Sequence, residues 1–348
     1  MKSQAIIKPG EPLQEIETET PQPKGKEVLI ATQNCGVCHS DLHIHDGYFD
    51  LGGGNKLPVA AASSGDFVLG HEVQGKAIAA GPDATSVEIG KEYAVYPWIG
   101  CGSCGICESG QEHLCTRPRG IGTSVAGGYA DHVLVPDDKY LIEIGDLDGA
   151  LAACYMCSGI TAYSAIRKLE DVMAGGPIMI LGLGGVGMMG LQIALAMYDE
   201  QPIVADIDEK KLEYARSLGI KHAYNLSEPD AWKQIKKDTG GLAGVVDFVG
   251  SEKTVNPTVN IMRQGGKIVV VGLMGGALAV PIPMLAWKAV SICGSYVGSL
   301  QDAKDVIALA QSGKLNPIQI EHRPLNQVND VLDSMRRGEI MGRIVLNP

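Results

Sequence analysis

Two hydrophobic patterns divide the chain. Residues 1 to about 150 alternate short apolar runs with Gly and Pro turns, as in EVLIATQ, GKAIAAG, EYAVYP and ADHVLVP, and this pattern predicts β-strands. From about residue 177, each apolar run is followed by a turn and then by a segment with helical spacing; the runs are PIMIL, PIVADI, GVVDFVG, KIVVVG and VSICGSY. Alternating strands and helices predict a parallel sheet covered by helices. The expected fold class is α/β, with a β-rich half followed by a doubly wound half.

Length and charge exclude several classes of partner. A chain of 348 residues exceeds the size of one hydrophobic core, so two domains are expected. With 40 acidic and 29 basic residues the net charge is −11, which makes nucleic acid and anionic membranes poor partners. The start lacks the pattern of a signal peptide, and we find no uninterrupted apolar stretch of membrane-spanning length. We expect a cytoplasmic protein whose nine cysteines are metal ligands, nucleophiles or buried side chains rather than disulfides.

A glycine-rich turn follows the first apolar run of the second half. Gly182, Gly184 and Gly187 form a GxGxxG pattern, which alone is weak evidence in a chain with 45 glycines. Its context is stronger, because a strand precedes it, a helix follows it and Asp206 closes the next apolar run. Such glycines let the backbone approach a pyrophosphate, and the aspartate can accept hydrogen bonds from both adenosine-ribose hydroxyls. Since the next two residues carry no positive charge, the pattern predicts NAD rather than NADP.

Four cysteines lie close together in CGSCGICESGQEHLC. Cys101, Cys104, Cys107 and Cys115 follow the spacing C-x2-C-x2-C-x7-C, which is compact enough for one tetrahedral thiolate site. Iron–sulfur clusters use related spacings, so the pattern does not identify the metal. Four thiolates fill a tetrahedral shell, and the site is therefore expected to be structural.

The other CxxC pairs leave two alternatives open. Cys35 with Cys38, and Cys154 with Cys157, could form a second closed four-cysteine site. The alternative is an open site made of Cys38, one later cysteine and His71 of LGHE. An open zinc site has room for a substrate oxygen, and a hydride-carrying cofactor needs such an electrophile beside its substrate.

Several motifs together resemble one enzyme family. GVCHSDLH, LGHE, the four-cysteine segment, CSGITAY, GLGGVG and the closing GRIVL resemble the zinc-dependent medium-chain alcohol dehydrogenases, above all their tetrameric bacterial and archaeal members. Order and spacing match over essentially the whole chain. The resemblance implies a GroES-like catalytic domain over 1–157, a Rossmann NAD-binding domain over 158–295 and a return to the catalytic domain over 296–348.

The resemblance also assigns the metal ligands and the residues around them. It implies a catalytic zinc on Cys38, His71 and Cys157 and a structural zinc on the four-cysteine segment, with Cys35 and Cys154 as buried small side chains. Beside the catalytic zinc, the resemblance implies that Asp41 accepts a hydrogen bond from the zinc histidine. It implies that Ser40 and His43 form the proton relay. Glu72 is implied to be either a ligand that exchanges with water or a carboxylate paired with Arg343. His45 receives no role and is expected to be a surface or loop histidine.

Further residues are implied to bind cofactor and substrate. For NAD these are His39, Thr161, Gly182, Gly184, Gly185, Val186, Gly187, Asp206, Lys211, Val271, Leu273, Cys293 and Arg343. For the substrate pocket they are Trp98, Phe49 and Leu273, which form apolar walls. The family pairs its nucleotide-binding sheets edge to edge, so KAVSICGSY is expected to be an edge strand in a homotetramer, or else in a dimer.

The predicted reaction is hydride transfer between NAD(H) and a primary or secondary alcohol, an aldehyde or a ketone. We expect a medium-sized apolar substrate; a polyol or amino-alcohol dehydrogenase is the alternative within the fold. A zinc-less reductase and a non-catalytic zinc-binding module are the alternatives from other classes. An insertion between Val59 and Val68 departs from the family pattern, and its residues Ser63, Ser64 and Gly65 predict a surface loop near the catalytic cleft.

Overall fold

The computed structural model describes residues 1–59, 65–173 and 175–348, and it divides them into two compact units. Unit 1 contains Met1–Phe49, Leu57–Ile160 and Val297–Pro348, and unit 2 contains Asp50–Lys56 and Thr161–Tyr296. The sequence prediction had the chain change domains after residues 157 and 295. It did not foresee that the short segment Asp50–Lys56 belongs to unit 2.

The elements follow the two patterns expected. The strands, in chain order, are β1 (Lys2–Ile6), β2 (Gln14–Glu17), β3 (Val28–Gly36), β4 (Tyr48–Gly52), β5 (Asn55–Pro58), β6 (Phe67–Val68), β7 (Glu72–Ala80), β8 (Glu92–Val95), β9 (His132–Val135), β10 (Leu141–Glu143), β11 (Ile178–Leu181), β12 (Ile203–Asp206), β13 (Ala223–Asn225), β14 (Leu242–Asp247), β15 (Met262–Val270), β16 (Ser291–Gly294), β17 (Ile320–Pro324) and β18 (Arg343–Asn347). The helices are α1 (His39–Asp46), α2 (Gly105–Glu108), α3 (Gly149–Cys154), α4 (Ile160–Arg167), α5 (Glu170–Met173), α6 (Gly185–Met197), α7 (Glu209–Ser217), α8 (Ala231–Thr239), α9 (Glu252–Ile261), α10 (Ile282–Lys288), α11 (Leu300–Gln311) and α12 (Val328–Arg336), with one π-helical turn (Tyr155–Gly159).

The main sheet of unit 1 brings distant segments together through its register. Its order is β10-β8-β7-β3-β18-β17, with β9 also pairing β3, and a smaller sheet has the order β2-β1-β6. In the antiparallel β3–β7 pair, Gly36 lies opposite Glu72. The chain leaving β3 and the chain entering β7 are therefore neighbours, which places Cys38 beside His71. Strand β18 pairs β3 on its other side.

Unit 2 is the doubly wound sheet that the sequence predicted. Its order is β13-β12-β11-β14-β15-β16, all parallel, and its core is formed by apolar side chains of the central strands together with Ile235 and Val259 of the covering helices. The strand order reverses between β11 and β14, and in such sheets ligands bind at that point, outside the carboxyl ends of the strands. The α/β fold class is confirmed. Strand β13 and the C-terminal strands β17 and β18 were not among the predicted runs.

One helical stretch of unit 1 is unusually long and apolar. Gly149–Arg167 is continuous through α3, the π-helical turn and α4, and it is long and apolar enough to cross a membrane. Most of its residues are buried inside the protein, as in the core helix of a globular fold. Ser, Thr and Gly interrupt its apolar run, so it differs from the uninterrupted apolar stretch whose absence the sequence indicated.

His45 corrects an expectation from the sequence, because it is buried in α1 rather than exposed. Its Nε2 donates to the carbonyl oxygen of Glu11 (2.8 Å). Arg336 Nη2, at the end of α12, lies 2.8 Å from His45 Nδ1 and 2.7 Å from Asp46 Oδ1. This cluster ties the last turn of α1 to α12. Of the insertion, Ala60–Ser64 lie outside the described residues, whereas Gly65 and Asp66 are exposed.

Candidate functional site

A buried cluster of ligand atoms forms where β3 and β7 meet the π-helical turn. The side chains of Cys38, His71, Glu72 and Cys157 lie with their ligand atoms within 4.8 Å of one another, and each of the four is buried. Cys38 is the N-cap of α1, and His71 directly precedes β7. Cys157 lies in the π-helical turn Tyr155–Gly159, a deviation that is frequent at functional sites.

The cluster fits a zinc ion by two observations. The Sγ atoms of Cys38 and Cys157 are 3.9 Å apart. Two thiolates bound to one tetrahedral zinc at about 2.3 Å each are separated by roughly 3.8 Å. Among the described residues, His71 Nε2 is buried and has no hydrogen-bond partner. Such a nitrogen costs free energy unless a ligand satisfies it, and a metal ion does so.

Asp41 connects the cluster to the scaffold. Its Oδ2 accepts from the backbone N–H of Cys38 and from the hydroxyl of Tyr129, both at 2.9 Å. Its Oδ1 lies 3.2 Å from His71 Nδ1, the distance of an electrostatic contact. Asp41 therefore sits where the sequence expected the acceptor for the zinc histidine. Tyr129 was missed, because GGYADH carries no signal of a partner 88 residues away.

The charges in the cluster favour the metal-binding form of its first cysteine. A hydrogen bond from Cys157 holds the pKa of Cys38 well below its ordinary value, and His71 lowers it further despite burial. Burial alone would lower the pKa of His71, but the carboxylate of Asp41 and the thiolate of Cys38 raise it. The thiolate is the form that binds metal.

Glu72 and Arg343 form a buried ion pair beside the ligands. Burial raises the pKa of Glu72 to about 6, although the guanidinium opposes the shift. Arg343 starts β18, which explains its reach, because β18 pairs β3 next to the cluster. Its expected role toward a pyrophosphate stays a prediction.

The remaining residues of the first CxxC segment are divided between core and surface. Cys35 and Cys154 are fully buried and lie outside both ligand groups found among the described residues, so the closed four-cysteine alternative does not form. Ser40 Oγ lies 3.9 Å from Cys38 Sγ. His43 is half-buried with its ring 4.9 Å from that of Phe49, while His39 is exposed.

The four-cysteine segment forms a second, closed group of ligands. The Sγ–Sγ distances are 4.0 Å for Cys101–Cys107, 3.5 Å for Cys104–Cys107 and 3.9 Å for Cys104–Cys115. These again approach the roughly 3.8 Å of a tetrahedral zinc. Backbone amides of Cys101 and Arg117 donate to Cys115 Sγ and lower its pKa, while bonds from Ser103 lower the pKa of Cys101 to about 5.

The glycine-rich turn of unit 2 shows a different reason for each glycine. Gly182 has φ +87°, a left-handed conformation that favours glycine. A Cβ on Gly187 would lie 1.7 Å from the carbonyl oxygen of Gly182, so helix and strand approach too closely for any side chain. A Cβ on Gly184 would meet nothing within 4 Å. The space before the N-terminus of α6 is therefore open, as a pyrophosphate requires.

A cavity of about 480 Å³ lies beside this turn within unit 2, in the size range of small-ligand sites. Gly182 and Asp206 line it, together with residues that the sequence did not indicate: Asp50, Gly52, Ser251, Glu252, Lys253 and Met274. Asp206 accepts from the backbone N–H of Leu183 (2.6 Å) and of Asp208 (2.9 Å), which fixes its carboxylate at the cavity.

The other residues expected at the cofactor are distributed through unit 2. Val186 and Gly185 lie at the start of α6, Lys211 is half-buried in α7, and Thr161 is buried in α4. Val271 and Leu273 follow β15, and Cys293 lies in the edge strand β16. Their roles stay predictions.

Comparisons with known proteins agree with this combination of sites. The family models for the alcohol dehydrogenase GroES-like domain and for zinc-binding dehydrogenase match residues 24–146 and 185–312. An NAD-dependent alcohol dehydrogenase of Sulfurisphaera tokodaii is 36% identical over the full length of both chains. Among solved structures, the acetophenone reductase of Geotrichum candidum in complex with NAD covers 100% of this chain and 97% of its own, with TM-score 0.85 and 29% identity. The D-arabinose dehydrogenase of Sulfolobus solfataricus covers 100% of both, with TM-score 0.83 and 28% identity.

Proposed function

The chain belongs to the zinc-dependent medium-chain alcohol dehydrogenases, NAD-dependent enzymes that exchange hydride with alcohols and carbonyl compounds, and we propose that it works with two zinc ions in chemically different sites. Cys38, His71 and Cys157 would hold the catalytic ion, and the four cysteines of residues 101–115 the structural one. The observation that carries the proposal is the buried Nε2 of His71, which has no hydrogen-bond partner in the described parts of the chain and lies beside two thiols at the spacing of a shared metal.

The bound groups supply two kinds of chemistry: the metal is a Lewis acid toward the substrate oxygen, and the nicotinamide accepts or returns hydride. The chain's own residues handle the proton. Ser40, next to Cys38, takes it from the substrate hydroxyl, and His43, one turn further along α1, passes it outward. Asp41 orients His71 and is itself held by Tyr129. Carbonyl reduction uses the same residues in the opposite order.

Two cysteines of one helical stretch provide a matched test of the catalytic ion. Both Cys154 and Cys157 are buried, and they are three residues apart. Cys157→Ser should lose one of two zinc ions and nearly all NADH formation, whereas Cys154→Ser should keep both ions. Metal analysis and absorbance at the NADH band measure this. One zinc per chain in the fully active protein would contradict the proposal, as would a greater loss from Cys154→Ser.

The substrate proposal is a medium-sized apolar alcohol or ketone. Two apolar side chains support it, since the ring of Trp98 lies 5.3 Å from that of His71 and the ring of Phe49 lies beside His43. The indole N–H of Trp98 donates to the carbonyl oxygen of Met156 (3.0 Å), which fixes its orientation. Each buried methylene contributes about 0.8 kcal/mol, so an apolar wall favours larger apolar substrates.

A sugar or polyol substrate is the second candidate, favoured by the similarity to a D-arabinose dehydrogenase. Steady-state kinetics with 1-phenylethanol, benzyl alcohol, cyclohexanol, ethanol, sorbitol and D-arabinose separate the two. The apolar proposal expects the highest kcat/KM for an aromatic or cyclic alcohol. It is wrong if D-arabinose, sorbitol or ethanol gives the highest value. Metal content in the same samples tests the zinc-less alternative.

The proposed assembly is a homotetramer, with a dimer as the smaller alternative. Strand β16 is at the sheet edge, and α10 beside it in the chain exposes 80% of Ile282 and 77% of Trp287. Exposed apolar patches and open strand edges are typical of interfaces. Trp287→Glu should reduce the oligomer size in light scattering, whereas Ile89→Glu, an exposed apolar position of unit 1, should not. A monomeric unmutated protein at micromolar concentration would reject the proposal. A cytoplasmic location is also proposed, because none of the nine cysteines forms a disulfide within the part of the chain that the structure describes.

A further inference from the structure

The tip of the hairpin formed by β4 and β5 belongs to the nucleotide-binding unit. This hairpin tip, Asp50–Lys56, is grouped with unit 2, although its chain neighbours Phe49 and Leu57 belong to unit 1. It contributes Asp50, Gly52 and Gly53 to the cavity that Gly182 and Asp206 also line. A segment that lies more than one hundred residues before the glycine-rich turn in the sequence therefore forms part of the cavity wall.

The hairpin tip meets the rest of unit 2 through backbone atoms. A Cβ on Gly52 would lie 2.6 Å from both the Cα and the N of Gly276. A Cβ on Gly275 would lie 3.0 Å from the carbonyl oxygen of Asp50. No side chain on Gly52 fits at the first of these distances without a backbone shift. Because backbone atoms make the contact, a change of rotamer cannot open it.

Side chains of the hairpin tip hold Gly52 in place from within. Asp50 Oδ1 accepts from the backbone N–H of Gly52 (2.7 Å), and Asn55 Nδ2 donates to its carbonyl oxygen (3.3 Å). Such side-chain turns fix a local backbone path at low cost. These two bonds thus hold the hairpin tip in the shape that contacts Gly276.

We propose that the hairpin tip is part of the dinucleotide site and retains bound NAD(H), so that the Gly52–Gly276 contact limits the rate of cofactor release. This rests on the assignment of the cavity to NAD. A dinucleotide that contacts Asp206 and the glycine-rich turn shares its cavity with the tip. The dinucleotide dissociates when the hairpin tip moves away from Gly276, as in other enzymes whose loops control product release.

Two glycines of the hairpin tip give a matched test. Gly52 (φ +79°) and Gly54 (φ +82°) have nearly equal positive φ angles, so alanine is strained by φ at both positions. They differ in space, because a Cβ on Gly54 would meet no atom of the described residues within 4 Å. Stopped-flow displacement of NADH should show a dissociation rate about tenfold higher for Gly52→Ala and within twofold of the parent for Gly54→Ala. Equal effects of the two substitutions, or no effect of either, overturn the proposal.

Two further measurements keep the test decisive if Gly52→Ala folds poorly. Asp50→Ala should raise the NADH dissociation rate more than Asp50→Asn does, because asparagine retains a carbonyl oxygen for the Gly52 N–H. Hydrogen exchange of the unmutated holoenzyme should slow at the hairpin tip on NADH addition and stay unchanged at β17 of unit 1. Unchanged exchange at the tip would overturn the proposal. Absence of NADH binding by the unmutated protein would instead reject the assignment of the cavity.

Discussion

Replacing Asp206 with asparagine should weaken the preference for NAD over NADP. The carboxylate lines the cavity and is held there by the backbone N–H groups of Leu183 and Asp208. A 2′-phosphate about 4 Å from it would meet a repulsion of about 4 kcal/mol per unit charge at an effective dielectric constant of 20. Since 1.4 kcal/mol corresponds to a factor of ten, the unmutated enzyme should prefer NAD by about 10³ in kcat/KM.

Asparagine is chosen because it keeps the size of the side chain and one of its oxygens. Glycine would leave the backbone N–H groups of Leu183 and Asp208 without their acceptor, at a cost in stability of about 1–3 kcal/mol each. For Asp206→Asn we expect kcat/KM with NADP to rise and kcat/KM with NAD to fall, because charged acceptors for the ribose hydroxyls are lost. The ratio should drop by at least about 10². Lys253, which the sequence did not indicate, lines the same cavity and supplies a positive charge there. Lys253→Gln in the Asp206→Asn background should therefore lower activity with NADP.

Steady-state kinetics with both cofactors measure the ratio, and Asp208→Asn is the matched control. Asp208 carries the same charge two residues away, caps α7 through the N–H of Lys210 (3.0 Å) and is not part of the cavity lining. If Asp208→Asn changes the ratio as much as Asp206→Asn, net charge rather than local contact sets the preference. Equal kcat/KM for the two cofactors in the unmutated enzyme would refute the reasoning outright.

Three further predictions concern the fold and its sites. Gly187→Ala should destabilise unit 2 by about 1–3 kcal/mol or more, because its Cβ would meet a carbonyl oxygen at 1.7 Å. Gly184→Ala should leave the melting temperature unchanged and weaken NAD binding. Calorimetry and NADH titration distinguish the two effects. Cys104→Ser should remove the structural zinc and lower Tm while the catalytic ion stays bound, and an unchanged Tm with two ions would contradict the site. Burial alone would raise the pKa of Asp46, but contacts with His45 and Arg336 lower it. The ionised carboxylate therefore stabilises the fold fully above the pKa that Asp46 has in the unfolded chain. This stabilisation is lost as the pH falls through the lower pKa of the folded protein. Asp46→Asn should therefore reduce the free energy of unfolding at pH 7 by less than about 1 kcal/mol, seen as a lower Tm. In strong acid the substitution should have no effect on Tm.

Features encoded at short separation could be predicted from the sequence alone. The strand–turn–helix alternation of unit 2, its glycine-rich turn with Asp206, and the four cysteines between 101 and 115 depend on local chain geometry. A turn and its neighbouring strand and helix are fixed by residues a few positions apart. The α/β class and the family could therefore be predicted from such patterns before any contact was known.

Contacts between distant residues were decided by the tertiary structure. The β3–β7 register explains why Cys38 rather than Cys35 is in the ligand cluster. Because Gly36 pairs with Glu72, the chain that follows β3 lies beside His71, and Cys38 is in that part of the chain, whereas Cys35 lies within β3. Tyr129 reaches Asp41 from 88 positions away, and His45 meets Arg336 from 291. A sheet register is set by burial over whole strands, and a single-residue pattern does not contain it. For the same reason, the hairpin tip beside the glycine-rich turn could not be foreseen from the residues that form it.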